Sequence, residues 1–271
     1  MATQPLLINA EHDPIWQAIR DETAQVISHE PVLASFLYST ILNHQSLESA
    51  LSFHLAHKLD SPTASALLVR EVVEQALIAD PSIGKAMRCD LRAVRDRDSA
   101  CNSYSIPFLY FKGFHALQAY RIAHWLWRQG REALALFFQN CMSTEFAVDI
   151  HPAAVIGHGI LLDHATGIVI GETAVVGNNV SIMQSVTLGG TGKEEGDRHP
   201  KVGDGVLISA GATILGNINI GRGAKVGAGS VVLQDVPPHT TVAGVPAKII
   251  GHPTSHQPAL DMDHGINCDM S

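Results

Sequence analysis

The chain has 271 residues, 46% hydrophobic and 16% charged, a globular composition with length enough for two domains and a sizeable core. Its formal net charge of −8 offers no basic surplus to neutralise a phosphate backbone, so nucleic acid is excluded as the main partner, while a small anion could still be held by a few local cations. No run of about eighteen apolar residues predicts a membrane span, MATQPLLINAEHD lacks the basic start and apolar run of a secretion signal, and the scattered Cys89, Cys101, Cys141 and Cys268 read as free thiols of a reducing cytoplasm.

The first half has helical periodicity. Asp13-Pro14 is a cap followed by proline at the first helical position, which predicts a helix over Ile15–Ser28. Leu33, Phe36, Leu37 and Ile41 share one helical face, as do Leu47, Leu51, Leu55 and Leu59. Ser61-Pro62 repeats the start signal before a run through Val72, Val73 and Leu77, and Asp80-Pro81 opens another over Ser82–Val94. After the polar run Arg95–Asp98, Phe114, Leu117, Tyr120, Ala123 and Trp127 recur at three- and four-residue spacing. These stripes predict a helical bundle whose outer faces could pack on another subunit.

Near Asp149 the period becomes six. Ile150, Ile156 and Leu162 form one series; Ile170, Val176, Ile182 and Leu188 a second; Val202, Ile208, Ile214, Ile220, Val226 and Val232 a third. Six is neither a helix nor a strand period. It fits a triangular parallel coil with one inward aliphatic residue per short face, about eighteen residues to the turn, and small residues at the corners. The register breaks twice. The step from Leu162 to Ile170 is two residues too long and contains Asp163-His164. Between Leu188 and Val202 about eight residues must leave the coil, within Gly189-Gly190-Thr191-Gly192-Lys193-Glu194-Glu195-Gly196-Asp197-Arg198-His199-Pro200-Lys201. A rigid coil tolerates insertions only where they project, and projecting loops carry function.

At these residues, with DIHP, LLDHATGIVIGETAVVG, SVTLGGTG, GDRHPKVGDGV and GAGSVVL, the sequence closely resembles the serine acetyltransferases. The likeness extends to Arg97-Asp98-Ser99-Ala100-Cys101, to Phe111-Lys112-Gly113-Phe114 and to Ala243-Gly244-Val245-Pro246-Ala247. The hexapeptide repeat alone is shared by many acyltransferases; DHATG, GGTGK and GDRHPK together are far more specific. The resemblance implies an α+β protein with an α-helical oligomerisation domain at 1–146, a left-handed parallel β-helix at 147–250 and a flexible tail at 251–271. It further implies a trimer formed through the coil, two trimers joined by their helical domains, and acetyl transfer from acetyl-CoA to L-serine without a metal. L-cysteine, the end product of that biosynthetic route, is then expected to inhibit.

A serine hydroxyl is a weak nucleophile near neutral pH and needs a base within hydrogen-bond reach. His164, on the short bulge and matching the family's catalytic histidine, fills that role, with Asp149 as the carboxylate expected to orient it; Asp149 could instead cap the helix-to-coil junction. The resemblance gives Asp98 and Asp163 to the substrate ammonium, although Asp98 lies in a charge run that could be merely solvated. On the long loop, Arg198 can grip the substrate carboxylate and His199 can donate to substrate or to the developing oxyanion, reaching the bulge of a neighbouring subunit. Gly190, Ala210 and Ala228 leave room for the pantetheine arm of CoA, while Lys225 and Lys248 could face its phosphates or be plain surface charge.

Rival readings are a hexapeptide acetyltransferase for a sugar hydroxyl, a metal hydratase using His158, His164 and His199, and a non-enzymatic scaffold. At the C-terminus many family members end in an isoleucine whose carboxylate enters O-acetylserine sulfhydrylase. Here Ile266 is internal and Ser271 is last, which predicts weak docking or none.

Overall fold

A computed structural model describes residues 13–62, 64–192 and 195–265. Helix α1 spans Pro14–His29, with Asp13 Oδ1 accepting from the backbone N–H groups of Ile15 and Trp16. An irregular stretch over 31–42 contains α2 (Ala34–Leu37), followed by α3 (Leu47–Lys58) and α4 (Ala66–Ala79). Ser61-Pro62 is not the start of α4. Ser61 and Ala64 first exchange backbone hydrogen bonds across a tight turn, and Ser65 supplies the cap. Helix α5 (Pro81–Arg97) starts at Asp80-Pro81 as expected. Then come α6 (Ser105–Tyr110), α7 (Lys112–Arg128) and α8 (Glu132–Phe146). Helix α8 escapes a sequence reading because Leu134, Leu136 and Phe137 blur its buried stripe of Ala135, Phe138, Met142 and Phe146. Among the described residues no helix is long and apolar enough to cross a membrane.

From Val148 the chain winds into a parallel coil with three faces. The first face stacks Val148–Ile150, Ile168–Ile170, Thr187–Gly189, Thr213–Leu215 and Val231–Val232. The second carries Val155–Ile156, Val175–Val176, Lys201–Val202 and Asn219–Ile220, and the third runs from Leu161–Asp163 through Ser181–Met183, Leu207–Ile208 and Lys225–Val226 to Thr241–Gly244. Ladder pairing joins Ile150, Ile170, Leu188, Ile214 and Val232 in register. Ile156, Val176, Val202 and Ile220 form the second column, and Leu162, Ile182, Ile208 and Val226 the third. All but Ile156 are buried, so the six-residue period is three inward columns, one per face.

The helices and the coil share one core. At their junction Asp90, wholly buried, accepts from Gln118 Nε2 (3.1 Å), Arg121 Nε (2.9 Å) and Nη2 (2.7 Å), and the backbone N–H of Ile160 (3.0 Å). All four donors converge on the Asp90 carboxylate, which fixes α5 and α7 to the first coil layer, while the buried Gln118 Oε1 has no hydrogen-bond partner among the described residues. After the closing strand Ala247–Gly251, residues 252–265 are not the loose tail expected. They cross the outer side of the third face through α9 (Pro258–Asp261), burying Ala259, whose carbonyl accepts from Ser181 Oγ at 2.8 Å. The crossing places α9 over the strand that carries the outward Leu207 and adds Met262 to the cluster in which Val94 and Cys101 already cover Leu161, removing apolar surface from water. Ile266 and Ser271, on which the docking expectation turns, lie outside the described residues.

Candidate active site

The short register break is a tight turn from the third face to the first. His164 (φ 54°) and Ala165 (φ 61°) both take the left-handed backbone region, at about 1–3 kcal/mol each for non-glycine residues. Hydrogen bonds from Thr166 N to His164 O (2.8 Å) and from Gly167 N to Ala147 O (2.7 Å) hold the turn. Helix α7 buttresses it. A Cβ on Gly113 would lie 2.1 Å from Leu162 O and 3.1 Å from Ala165 Cβ, so only glycine lets the helix come this close. Lys112 Nζ adds a hydrogen bond to Thr166 Oγ1. The turn leaves the His164 side chain 73% exposed, with Nε2 3.9 Å from Asp163 Oδ1.

Asp163 is partly buried at the end of Leu161–Asp163. Burial pushes its carboxyl above the ordinary value; the charge of Asp98 adds to the rise, and His164 opposes it. Asp98 caps the end of α5 and accepts from Ala100 N at 2.9 Å. The two acids thus face one locale, where a cation would relieve both. Arg95–Asp98 is not the uniformly exposed charge run of the sequence reading: Arg97 is buried and Asp98 half-buried. Asp149 does not hydrogen-bond His164. It lies in Val148–Ile150, and its Oδ1 accepts from Gln139 Nε2 of α8 at 2.6 Å, the donor that the helix-to-coil junction brings beside it.

The long insertion leaves the coil at a different edge, between the first and second faces. Its end folds back onto the layer below. Thr173 Oγ1 accepts from the backbone N–H of Arg198 (3.0 Å) and of His199 (3.1 Å), and His199 Nδ1 accepts from Thr173 N at 3.2 Å. A ring whose Nδ1 accepts carries its proton on Nε2 when neutral, and burial followed by the Arg198 charge holds its pKa below the ordinary value. Nε2 has no hydrogen-bond partner among the described residues and is a donor awaiting an acceptor. The ring lies over Gly171, where a Cβ would be 2.0 Å from Nε2. Arg198 Nη2 donates to Glu172 Oε2 at 2.7 Å, and this hydrogen bond is the main reason the Glu172 carboxyl sits below its usual range.

The sequence-derived residues therefore divide between two edges. His164 and Asp163 occupy the edge between third and first faces, with Asp98 beside them. Ala210 and Ala228 lie on that same edge in later layers, joined through Gly229 N to Ala210 O at 2.8 Å. Gly190, Arg198 and His199 occupy the other edge, with Arg198 Cγ 3.5 Å from the Cβ position of Gly190. Between the edges lies a strand of three residues, Ile168–Ile170, or roughly 10 Å. Lys225 lies on neither edge. It is buried beneath residues 263–265, donating to Gly265 O at 2.5 Å with Asp263 at 3.9 Å, so a phosphate could reach it only after those residues move. Lys248 is exposed on the closing strand. His158 lies at the third edge, so it, His164 and His199 do not converge, and no metal-holding group of three or more His, Cys, Asp or Glu forms among the described residues.

Sequence reasoning missed Glu172, Thr173 and the role of Gly113, although GET and FKG stood in the recognised motifs. It also missed Gln184, on the His164 edge, whose buried Oε1 has no hydrogen-bond partner among the described residues.

Residues 15–119 match the serine acetyltransferase N-terminal domain, and residues 199–234 match the bacterial transferase hexapeptide (six repeats). The serine acetyltransferase of Escherichia coli strain K12 is 63% identical over 257 residues, which cover 95% of this chain and 94% of that protein. A serine acetyltransferase solved in complex with cysteine superposes with a TM-score of 0.91 at 57% identity, covering 93% of this chain and 98% of the other. The soybean enzyme complexed with serine gives 0.86 at 61%, covering 87% and 97%. The Brucella abortus strain S19 enzyme in complex with coenzyme A gives 0.88 at 54%, covering 89% and 97%. With the same helical domain, coil and motifs over nearly its whole length, the chain belongs to the serine acetyltransferase family.

Proposed function

We propose that this chain transfers the acetyl group of acetyl-CoA to the hydroxyl of L-serine, giving O-acetyl-L-serine, at a site completed by two copies of the chain. The observation that carries the composite site is the division of the reacting groups: His164 stands exposed on one edge of the coil, and the unpartnered Nε2–H of His199 stands on another. Packing the second edge of one coil against the first edge of the next joins them, and such a head-to-tail contact closes as a ring, here a trimer. Two trimers meeting through their helical domains would give a hexamer.

In this site Asp98 and Asp163 take the α-ammonium of serine, and Arg198 from the neighbouring copy takes the carboxylate. His164 removes the hydroxyl proton as the oxygen attacks the thioester carbonyl. His199 donates through Nε2 to the oxyanion of the tetrahedral intermediate. Collapse breaks the C–S bond, and the CoA thiolate recovers the proton from His164. The pantetheine arm runs along the His164 edge past Ala210 and Ala228, with Gly190 of the neighbour opposite. Asp149 can orient His164 through Oδ2 while Oδ1 keeps the hydrogen bond from Gln139. Support for the ligands comes from the family members solved with serine, cysteine and coenzyme A. L-cysteine differs from L-serine only in sulfur for the hydroxyl oxygen, so the same ammonium and carboxylate contacts hold it, and inhibition is competitive with serine.

Thiol release from acetyl-CoA that depends on L-serine, and not on galactosides, tests the acceptor. Mixing His164→Ala and His199→Ala chains tests the composite site. If adjacent chains share it, random mixed oligomers regain about one quarter of wild-type activity, the chance of the productive order of neighbours. No recovery would place the whole site within one chain. At the C-terminus, a peptide of the last ten residues should bind O-acetylserine sulfhydrylase weakly beside one ending at Ile266; tight binding would reverse that reading.

A further inference from the structure

Arg97 is only 9% exposed, yet no carboxylate lies within ion-pair distance of its guanidinium among the described residues. Its partners are neutral. Nη1 donates to Ser181 Oγ (3.2 Å) and Val180 O (3.5 Å), and Nη2 to Asn179 Oδ1 (3.3 Å). The Ser181 hydroxyl gives its proton to Ala259 O at 2.8 Å, which leaves its lone pairs for Arg97. Burying a cation on long bonds to neutral acceptors is a poor source of stability, and an apolar side chain of similar length would be cheaper there. The arrangement does supply a connection between two defined points.

One point is the end of α5. Asp98 follows Arg97 directly and caps the helix, with its N–H bonded to Val94 O at 2.9 Å. The other is the corner entering Ser181–Met183. That corner is fixed by the left-handed Asn179 (φ 56°), whose N–H donates to His158 O at 2.9 Å. Ser181–Met183 pairs in register with Leu161–Asp163, so that Met183 stands beside Asp163. The far end of the segment after Asp98 is held separately, by the Glu22 carboxylate accepting from Tyr104 N and Ser105 N.

We infer that Arg97 is a positioning residue for substrate recognition: its guanidinium clamps the end of α5 to the coil, and so sets Asp98 against Asp163 for their joint grip on the substrate α-ammonium. This rests on the assignment of those two carboxylates to the ammonium. Arg97 itself does not touch substrate. Losing it lets Asp98 drift, which weakens binding of an α-amino acid while leaving Ala210 and Ala228, in later coil layers, and the base in place.

The test is steady-state kinetics on the full oligomeric protein carrying Arg97→Met, Arg97→Lys or Asp98→Asn. Arg97→Met should raise the KM for L-serine and the inhibition constant of L-cysteine together, by about tenfold. The KM for acetyl-CoA and kcat at saturating serine should stay within about twofold. Arg97→Lys should recover most of the loss, because an ammonium can still reach two of the acceptors. An unchanged serine KM in Arg97→Met, or an equal rise in both KM values, overturns the inference. If Arg97→Met does not fold, Asn179→Gly removes one acceptor while suiting the left-handed backbone; it should raise the serine KM alone by about threefold, and no rise overturns the proposal. Asp98→Asn separates the two levels. If it leaves the serine KM untouched, the ammonium assignment itself falls; if it raises that KM while Arg97→Met does not, only the positioning role falls.

Discussion

Nδ1 of His199 accepts a hydrogen bond from the backbone N–H of Thr173 at 3.2 Å, one coil layer below the loop that carries the histidine. This bond assigns the ring proton to Nε2, and together with the bonds of the Thr173 hydroxyl to the Arg198 and His199 backbone it turns the end of the long insertion into a placed donor lying over Gly171.

Gly171→Ala should therefore act on His199 without changing any polar group. The added Cβ would stand 2.0 Å from Nε2, so the ring must rotate away. Removing one oxyanion donor costs about a hundredfold or more in kcat. The measurement is kcat for serine acetylation beside a thermal melt; a full-speed, fully folded variant would remove His199 from the transition state.

His164→Ala should lower kcat by about a thousandfold while leaving the coil intact, since its side chain is exposed and makes no hydrogen bond that holds the turn. Circular dichroism and coenzyme A binding check the fold. Near-normal turnover in the folded variant would give the base to another group.

Arg198→Ala should raise the KM for L-serine by at least about tenfold, the worth of a charged hydrogen bond to a carboxylate, and move the KM for acetyl-CoA far less. In the free chain Arg198 is held by Glu172 at 2.7 Å, a carboxylate where the substrate's own would compete. The reverse ordering of the two KM values would assign Arg198 to the coenzyme.

A fourth expectation concerns acid stability and the helical domain. His54 and His115 are buried with ring centroids 4.9 Å apart, and burial pulls their pKa values down to about 4 and about 3. Below pH 6.5 the unfolded chain binds protons at both positions that the folded chain refuses. Stability is thus fully present above that value and falls as pH drops toward 4, by about 1 kcal/mol per pH unit for each ring. Urea midpoints across pH 7 to 4 measure the slope, and His115→Phe should flatten it. An unchanged slope would put the acid sensitivity elsewhere.

The coil was legible in the sequence because its signal is local and repeated: one inward aliphatic residue per face, every six residues, whatever the neighbours do. The spacing alone stacks Ile150, Ile170, Leu188, Ile214 and Val232, and the two register breaks locate His164 and Arg198-His199 for the same reason. Two helix starts, those of α1 and α5, were equally plain, since Asp13-Pro14 and Asp80-Pro81 act within one turn. What the sequence could not determine depends on groups distant in the chain. That Gln139 donates to Asp149 is decided by where α8 meets the coil. The cover over Lys225 comes from residues 263–265, some forty positions away. Arg97 looks like one more charge in a polar run until α5 is laid against Asn179 and Ser181. Above all, the separation of His164 from His199 onto different edges follows from counting faces in three dimensions. Periodicity reports which side chains point inward; it carries no information about which outward edges meet, because that is set by packing between elements and between copies of the chain.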